Sequence, residues 1–249
     1  MQQLPPQPAY ILHSRPFRDT SLILELLTPD YGRIACIAKG ARRDKQRRQQ
    51  ALQPFSPLLV TLLGRHDLKT LGPVEAAGQS IWLKGRAVYA GLYVNELLVR
   101  LLPEGDAVES VFAAYQSLLP QLAGLDPDSN RALEEPLRRF ELLLLQALGS
   151  LPPLDMCPVL GQAIEPELTY RLTIEDGFVP VVLPVGRPPG AAEFPGAGLL
   201  ALAAAQDGGP MGDQSLHSAK RLTRLLLTPL LGARPLKSRE LFRQVYLAD

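Results

Sequence analysis

Residues 21–38 read SLILELLTPDYGRIACIA, and this stretch decides how the N-terminal third of the chain folds. Ser21 to Leu27 is a β-permissive apolar run, Pro29-Asp30-Tyr31-Gly32 puts proline and glycine where a turn wants them, and Arg33 to Ala38 resumes as a strand. The reading is a hairpin. Similar signals run outward from about Ala9 to Gly78. Pro57 to Leu63 and Leu68 to Ala76 read as strands separated by Gly64-Arg65-His66-Asp67, so about five strands fit in under eighty residues. Full closure removes the exposed edges of so short a sheet, and a small closed barrel is predicted. Strong β-branching is absent in places, so an α/β arrangement of this segment stays open.

Beyond Gly85 the period changes. Tyr89, Leu92, Tyr93, Glu96, Leu97 and Arg100 fall at helical spacing, and Asp106 is placed to N-cap a second helix through Ala123. A third helix runs to Leu148 and stops at Gly149, a natural C′ residue, with Pro136 either at its N1 position or kinking it. Residues 150–198 are rich in Pro and Gly, with strand-like runs at Tyr170 to Ile174 and Phe178 to Leu183. Helical signals return at Leu199 to Ala205, Asp213 to Leu231 and Lys237 to Leu247. The expected fold class is α+β: a barrel over residues 1–80, then a mainly helical domain over 81–249 that carries a small strand insertion at 150–198. At 249 residues and 46% hydrophobic content, the chain can bury a sizeable core.

The formal net charge of +1 hides an uneven distribution. Arg33, Lys39, Arg42, Arg43, Lys45, Arg47 and Arg48 face a single acid, Asp44, within sixteen residues. A second window from His217 to Arg243 holds Lys220, Arg221, Arg224, Arg234, Lys237, Arg239 and Arg243 against Glu240 alone. Each window stands at +6, which leaves the remainder at −11. Basic faces on a mildly acidic body suit localised binding of an anion. A solvated loop that keeps the protein soluble is the plain alternative for the first window. Against it, a one-sign run repels itself and is stabilised by neutralising phosphates, whose displaced counterions supply free energy. On the Asp213 helix, His217, Lys220, Arg221 and Arg224 follow i, i+3, i+4, i+7 spacing and share a stripe, with Leu222, Leu226 and Leu230 roughly opposite and Asp213 at the N-cap.

The third helix carries two stripes. Leu133, Leu137, Phe140, Leu144 and Ala147 make a core face, whereas Arg131, Glu135, Arg138, Leu142 and Leu145 begin charged and end apolar. Burial explains most of these leucines. A pocket that joins arginines to an exposed leucine would suit a short peptide with carboxylates and an apolar side chain. Tyr89, Tyr93, Phe112 and Tyr115 read as core rather than stacking platforms.

Catalytic signals are weak. The chain has no GxxxxGK[ST] loop, no GxSxG elbow and no HExxH. His13, His66 and His217 share no ligand spacing with one another or with Cys36 or Cys157, so no metal site and no disulfide framework is expected. Asp30 and Asp44 do not supply the acid cluster of a metal-dependent nuclease. The N-terminus lacks a signal-peptide pattern, and no window offers about 18 consecutive apolar residues, so a cytoplasmic protein without a membrane partner is expected.

Five separated stretches taken together resemble the RecO family of bacterial DNA-repair proteins. They are AYILHSRPFRDTSLILELLT at 9–28, AKGARR…ALQPF at 38–55, YAGLYVNELLVRLL at 89–102, LRRFELLLLQALG at 137–149 and LTPLLGARPLKSRELFRQ at 227–244. The resemblance implies an OB-fold barrel, a helical domain and a nucleoid-associated, non-enzymatic recombination mediator without cofactor. Such a mediator binds single- and double-stranded DNA, anneals complementary strands and, with RecR, helps RecA replace single-stranded DNA-binding protein. Many members carry a four-cysteine zinc module where this chain has Met156 to Val182. Only Cys157 stands there, so packing is expected to hold a degenerate, zinc-free insertion. The family's helical domain also docks the acidic C-terminal tail of single-stranded DNA-binding protein. The motif carries that role to Arg138 and Arg139, with Leu142 as apolar neighbour and Arg131 on the same stripe; the helical projection favours Arg138. The competing interaction-class reading is a scaffold that recognises acidic tails and touches DNA only incidentally.

Overall fold

The computed structural model of the chain describes residues 3–43 and 52–246, so Lys45, Arg47 and Arg48 lie outside the described residues. The chain forms two compact units, one comprising Met1–Leu133 with Ala233–Asp249 and the other Glu134–Gly232.

The first unit is built on a closed barrel of order β1-β2-β3-β5-β4, with β1 at Gln7–Phe17, β2 at Ser21–Thr28, β3 at Gly32–Ala38, β4 at Leu58–Leu63 and β5 at Lys69–Ala76. The predicted hairpin is present: β2 and β3 pair antiparallel with Leu24 opposite Cys36 and Thr28 opposite Gly32. Gly32 is required at the turn. Its φ is 55°, and a Cβ there would lie 1.8 Å from the Asp106 carbonyl oxygen. Parallel pairing of Cys36 and Ile37 with Lys69 and Thr70 closes the barrel, and the remaining pairs are antiparallel, so the α/β alternative for this segment falls. Alternate residues of β3 face inward, with Ile34, Cys36 and Ala38 packed against Ile11, Leu24, Leu26, Leu58, Val60 and Leu62. Burial, reinforced by Glu25, pushes the Cys36 thiol up to about 12.

Helices α1 (Arg86–Leu101) and α2 (Glu109–Gly124) cover the outer side of β1. Tyr10 meets the rings of Phe112 and Tyr115 at 5.7 and 5.1 Å. Asn95 donates to the Leu12 carbonyl at 3.0 Å and accepts the Tyr115 hydroxyl at 2.7 Å, so these buried polar groups are satisfied. Asp106 does not cap α2: the helix starts after Val108 without a side-chain cap. Helix α3 (Asn130–Ala147) opens in this unit and continues as part of the second. Pro136 lies inside it rather than at N1. Its end closes as a Schellman motif, with Gly149 at φ 66°, the Ser150 N–H on the Leu145 carbonyl and the Gly149 N–H on the Gln146 carbonyl.

The second unit adds a two-stranded ribbon of β6 (Met156–Cys157) and β7 (Gln162–Ala163). A three-stranded sheet of order β10-β8-β9 follows, from β8 (Thr169–Thr173), β9 (Gly177–Val181) and β10 (Glu193–Pro195). Helices α4 (Gly196–Gln206) and α5 (Asp213–Leu231) complete it. One cluster containing Leu142, Cys157, Ile164, Tyr170, Phe178, Phe194, Leu199, Leu202 and Leu222 holds the sheet to the helices, and Cys157 serves in it as a small apolar side chain. Gly212 occupies the N-cap of α5 and Asp213 the first helical position, which corrects the sequence reading by one residue.

The chain then returns to the first unit as α6 (Lys237–Tyr246), docked on α1. Glu96 receives its start: Oε1 accepts the Lys237 N–H, while Oε2 accepts the Ser238 N–H and hydroxyl. Burial alone would raise the Glu96 carboxyl, but these bonds and Arg100 together hold it below the usual carboxylate range. Tyr89 meets Phe242 and Tyr246 edge-on, at 5.8 and 5.6 Å.

Candidate nucleic-acid interface

The first basic window begins where β3 ends. A turn at Gly40, φ 66°, is closed by the Arg43 N–H on the Gly40 carbonyl, and buried Ala41 anchors it to the barrel core. Lys39, Arg42 and Arg43 are exposed around this turn. The Arg42 N–H bonds the Thr20 carbonyl at 2.9 Å and its Nη1 donates to the Arg18 carbonyl at 3.2 Å, which ties the turn to the β1–β2 connection. That contact brings in Arg18, which stands over the Phe17 ring at 5.2 Å and which sequence reasoning missed. A window count cannot see a lone cation in a turn. The strand register, with Phe17 opposite Ser21 and Leu22 opposite Ala38, is what carries it to the end of β3.

Arg33 stands apart from this group. Its Nη1 lies 2.8 Å from Glu25 Oε2 across the hairpin, its Nε donates to the Leu102 carbonyl, and its side chain is only 16% exposed. Among the C-terminal cations of the first unit, Arg234, Lys237 and Arg239 are exposed, and the Arg239 guanidinium lies 5.3 Å from the Tyr93 ring centre.

In the second unit the basic stripe of α5 divides by role. Arg221 stands over Phe194 at 4.8 Å and donates to the carbonyls of Gly190, Ala191 and Glu193, so it clamps the loop before β10. Lys220 pairs with Glu134 at 2.6 Å on the surface. Arg224 is exposed and forms no ion pair with a described residue. The opposite face is not uniformly buried as the projection implied: Leu222 is, whereas Leu230 is exposed.

The stripe of α3 is likewise occupied. Arg138 Nη1 lies 2.8 Å from Glu141 Oε2, a carboxylate at 0% exposure, and 3.2 Å from the Thr223 hydroxyl. Arg139 bonds Glu135 and donates to the carbonyls of Ala205 and Gly209. Leu142 and Leu145 are buried, so the exposed leucine of the sequence reading is not there; Arg131 is exposed in the first turn of α3. Beside the β8–β9 turn lies an open groove of about 1190 Å³. Ser150, Pro152, Val159, Ile174, Leu226, Leu230 and Arg224 contribute to its walls.

Glu193 is the charged centre of the small sheet. It accepts from Arg187, the Gly190 N–H and Arg171, and these donors hold its carboxyl at about 2. Among the described residues, no group of three or more His, Cys, Asp or Glu side chains is placed to hold a metal, and no helix is long and apolar enough to cross a membrane.

Sequence models for the N-terminal and C-terminal domains of recombination protein O match residues 1–79 and 83–240. The chain belongs to the RecO family of DNA repair proteins. It is 47% identical to the DNA repair protein RecO of Cellvibrio japonicus over 237 residues, 95% of either chain. Over 238 residues it is 42% identical to the proteins of that name from Escherichia coli K12 and Shigella boydii, covering 96% of this chain and 93% of theirs. The barrel of this RecO-family chain therefore coincides with the first family domain, and its helices and small sheet with the second.

Proposed function

We propose that this RecO-family chain is a recombination mediator that binds single- and double-stranded DNA, anneals complementary strands and, with RecR, assists RecA loading onto DNA coated by single-stranded DNA-binding protein. The observation that carries the reading is the exposed Lys39–Arg43 turn at the barrel rim, joined to Arg18 and continuous in sequence with Lys45, Arg47 and Arg48. Its chemistry is charge neutralisation rather than bond making. Two polyanions must approach to anneal, and cations at the rim lower their repulsion without base-specific contacts. Arg234, Lys237 and Arg239 supply further positive charge in the same unit. The test is a titration of single-stranded DNA, bare and then coated with its binding protein, at several salt concentrations. Sequence-tolerant affinity is expected, falling with a log–log slope of about 0.7 per neutralised phosphate on single strands and about 0.9 on duplex. A salt-insensitive association overturns it.

A second reading rests on the groove of the other unit, where Arg224 adjoins exposed Val159, Ile174 and Leu230. A partner tail that carries a carboxylate beside an apolar side chain would find both contacts there. This supports recognition of an acidic tail, that of single-stranded DNA-binding protein included, alongside DNA binding or in place of it. The Arg138, Arg139 and Leu142 set would contribute only if Arg138 exchanged Glu141 for an incoming carboxylate. Arg224→Ala and Arg138→Ala, each assayed with an acidic tail peptide and with DNA, separate the two readings.

A further inference from the structure

We infer that Trp82 is a stacking platform for an unpaired DNA base, with Lys84 placed to meet a neighbouring phosphate; the inference rests on the DNA-binding reading above and specifies one contact within it.

All aromatic residues of the chain fall among the described residues, and each except Trp82 is buried or half-buried. Trp82 is 75% exposed, and among the described residues no ring or cation contact is made with it. An indole left in water forgoes the largest apolar burial any side chain offers, which favours a binding role over a packing one. It stands in the connection between β5 and α1, where burial alternates: Ile81 and Leu83 are half-buried, Trp82 and Lys84 exposed. The indole and the ammonium therefore emerge on the outward side together.

The connection is held firmly at both ends. At its start the Ala77 N–H bonds the Pro57 carbonyl. At its end Gly85 adopts φ 51° against the Pro127 carbonyl, which also accepts the Arg86 N–H at 2.9 Å. Between them, Leu83 and Phe55 press together on Gly91 of α1: a Cβ on that glycine would lie 2.6 Å from one and 2.7 Å from the other. Phe55 is also where the basic segment that starts at Lys39 rejoins the barrel. The connection that carries the exposed ring thus passes next to Phe55, the end of the segment proposed to neutralise phosphate. An exposed aromatic combined with nearby cations is the arrangement by which proteins hold single strands without sequence preference.

Stacking needs an unpaired base, so the contact distinguishes single strands from duplex. Trp82 is the only tryptophan of the chain and reports on its own occupancy. The whole protein would be titrated with oligothymidylate and, separately, with a duplex of equal phosphate content, following tryptophan emission and the anisotropy of a labelled strand. Expected are quenching by the single strand, duplex binding without quenching, and a loss of about tenfold in single-strand affinity alone for Trp82→Ala, with Trp82→Phe retaining most of it. Anisotropy that reports binding while emission stays unchanged, or an equal loss on both DNAs, overturns the stacking role and leaves DNA binding standing. Absence of binding by anisotropy at every salt concentration overturns both. Circular dichroism of the two variants confirms that the fold is intact.

Discussion

Arg42 and Arg43 of the first unit stand exposed at the end of β3, whereas Arg138, Arg139 and Arg221 of the second reach acids, carbonyls and a ring of their own unit. Their local sequences look alike, ARR in one and LRR or KR in the other. The difference comes from what stands opposite. At the end of β3 the Arg42 side chain meets a backbone carbonyl of the β1–β2 connection, and among the described residues it forms no ion pair. In the second unit, helix ends and the loop before β10 present carbonyls that a guanidinium fork satisfies in pairs or threes. A count of cations therefore overstates the surface offered to a polyanion, because several of the arginines serve as internal clamps.

This contrast can be broken most severely at Arg221. Arg221→Ala removes three carbonyl bonds and the Phe194 stack, and a loss of about 2–3 kcal/mol in denaturant unfolding of the second unit is expected. Arg224→Ala on the same helix should leave the unfolding midpoint unmoved. Reduced DNA affinity in Arg221→Ala at unchanged stability would dissolve the distinction. Next in size, Arg42→Ala with Arg43→Ala should weaken single-strand binding at physiological salt roughly 20-fold and reduce the salt slope by about 1.5. Normal stability is expected, because among the described residues the side-chain bond lost is that of Arg42 to the Arg18 carbonyl.

The smallest effect sharpens the contrast through pH. Glu193 is held at about 2 against an ordinary 4.5, so its contribution to stability is complete above 4.5 and is lost as pH falls toward 2. Urea unfolding between pH 2 and 7 should show the wild type losing stability across that window faster than Glu193→Gln. Equal slopes for the two would mean that the Arg171 and Arg187 bonds contribute nothing to folding.

Where local chemistry dictates structure, the sequence was readable. The Pro29–Gly32 turn, the alternation of β3 and the Gly149 stop all appear where the residues place them, because each depends on neighbours within a few positions. Caps are less legible: Asp106 and Asp213 are acceptable N-cap residues, yet the N-caps of α2 and α5 are Val108 and Gly212. The candidate site was least legible. A helical projection puts Arg138 and Arg221 on outward stripes but carries no information about the elements that settle over them. For Arg221 that element is a loop some thirty residues upstream. Proximity in sequence places Arg33 in the first basic window, while strand pairing directs it to Glu25. The position of Arg18 follows from strand register, and the exposure of Trp82 from tertiary packing that no local pattern carries.

The capping of α6 by Glu96 has a consequence for the order in which the molecule can be completed. The acceptor lies 141 residues ahead of the first donor it receives, with the whole second unit encoded between them. A ribosome that has released the barrel, α1 and α2 has not yet made the helix that covers Tyr89, so the first-encoded unit is the last to be finished. Until then Glu96 lacks the Lys237 and Ser238 donors, and Tyr89 lacks the rings of Phe242 and Tyr246.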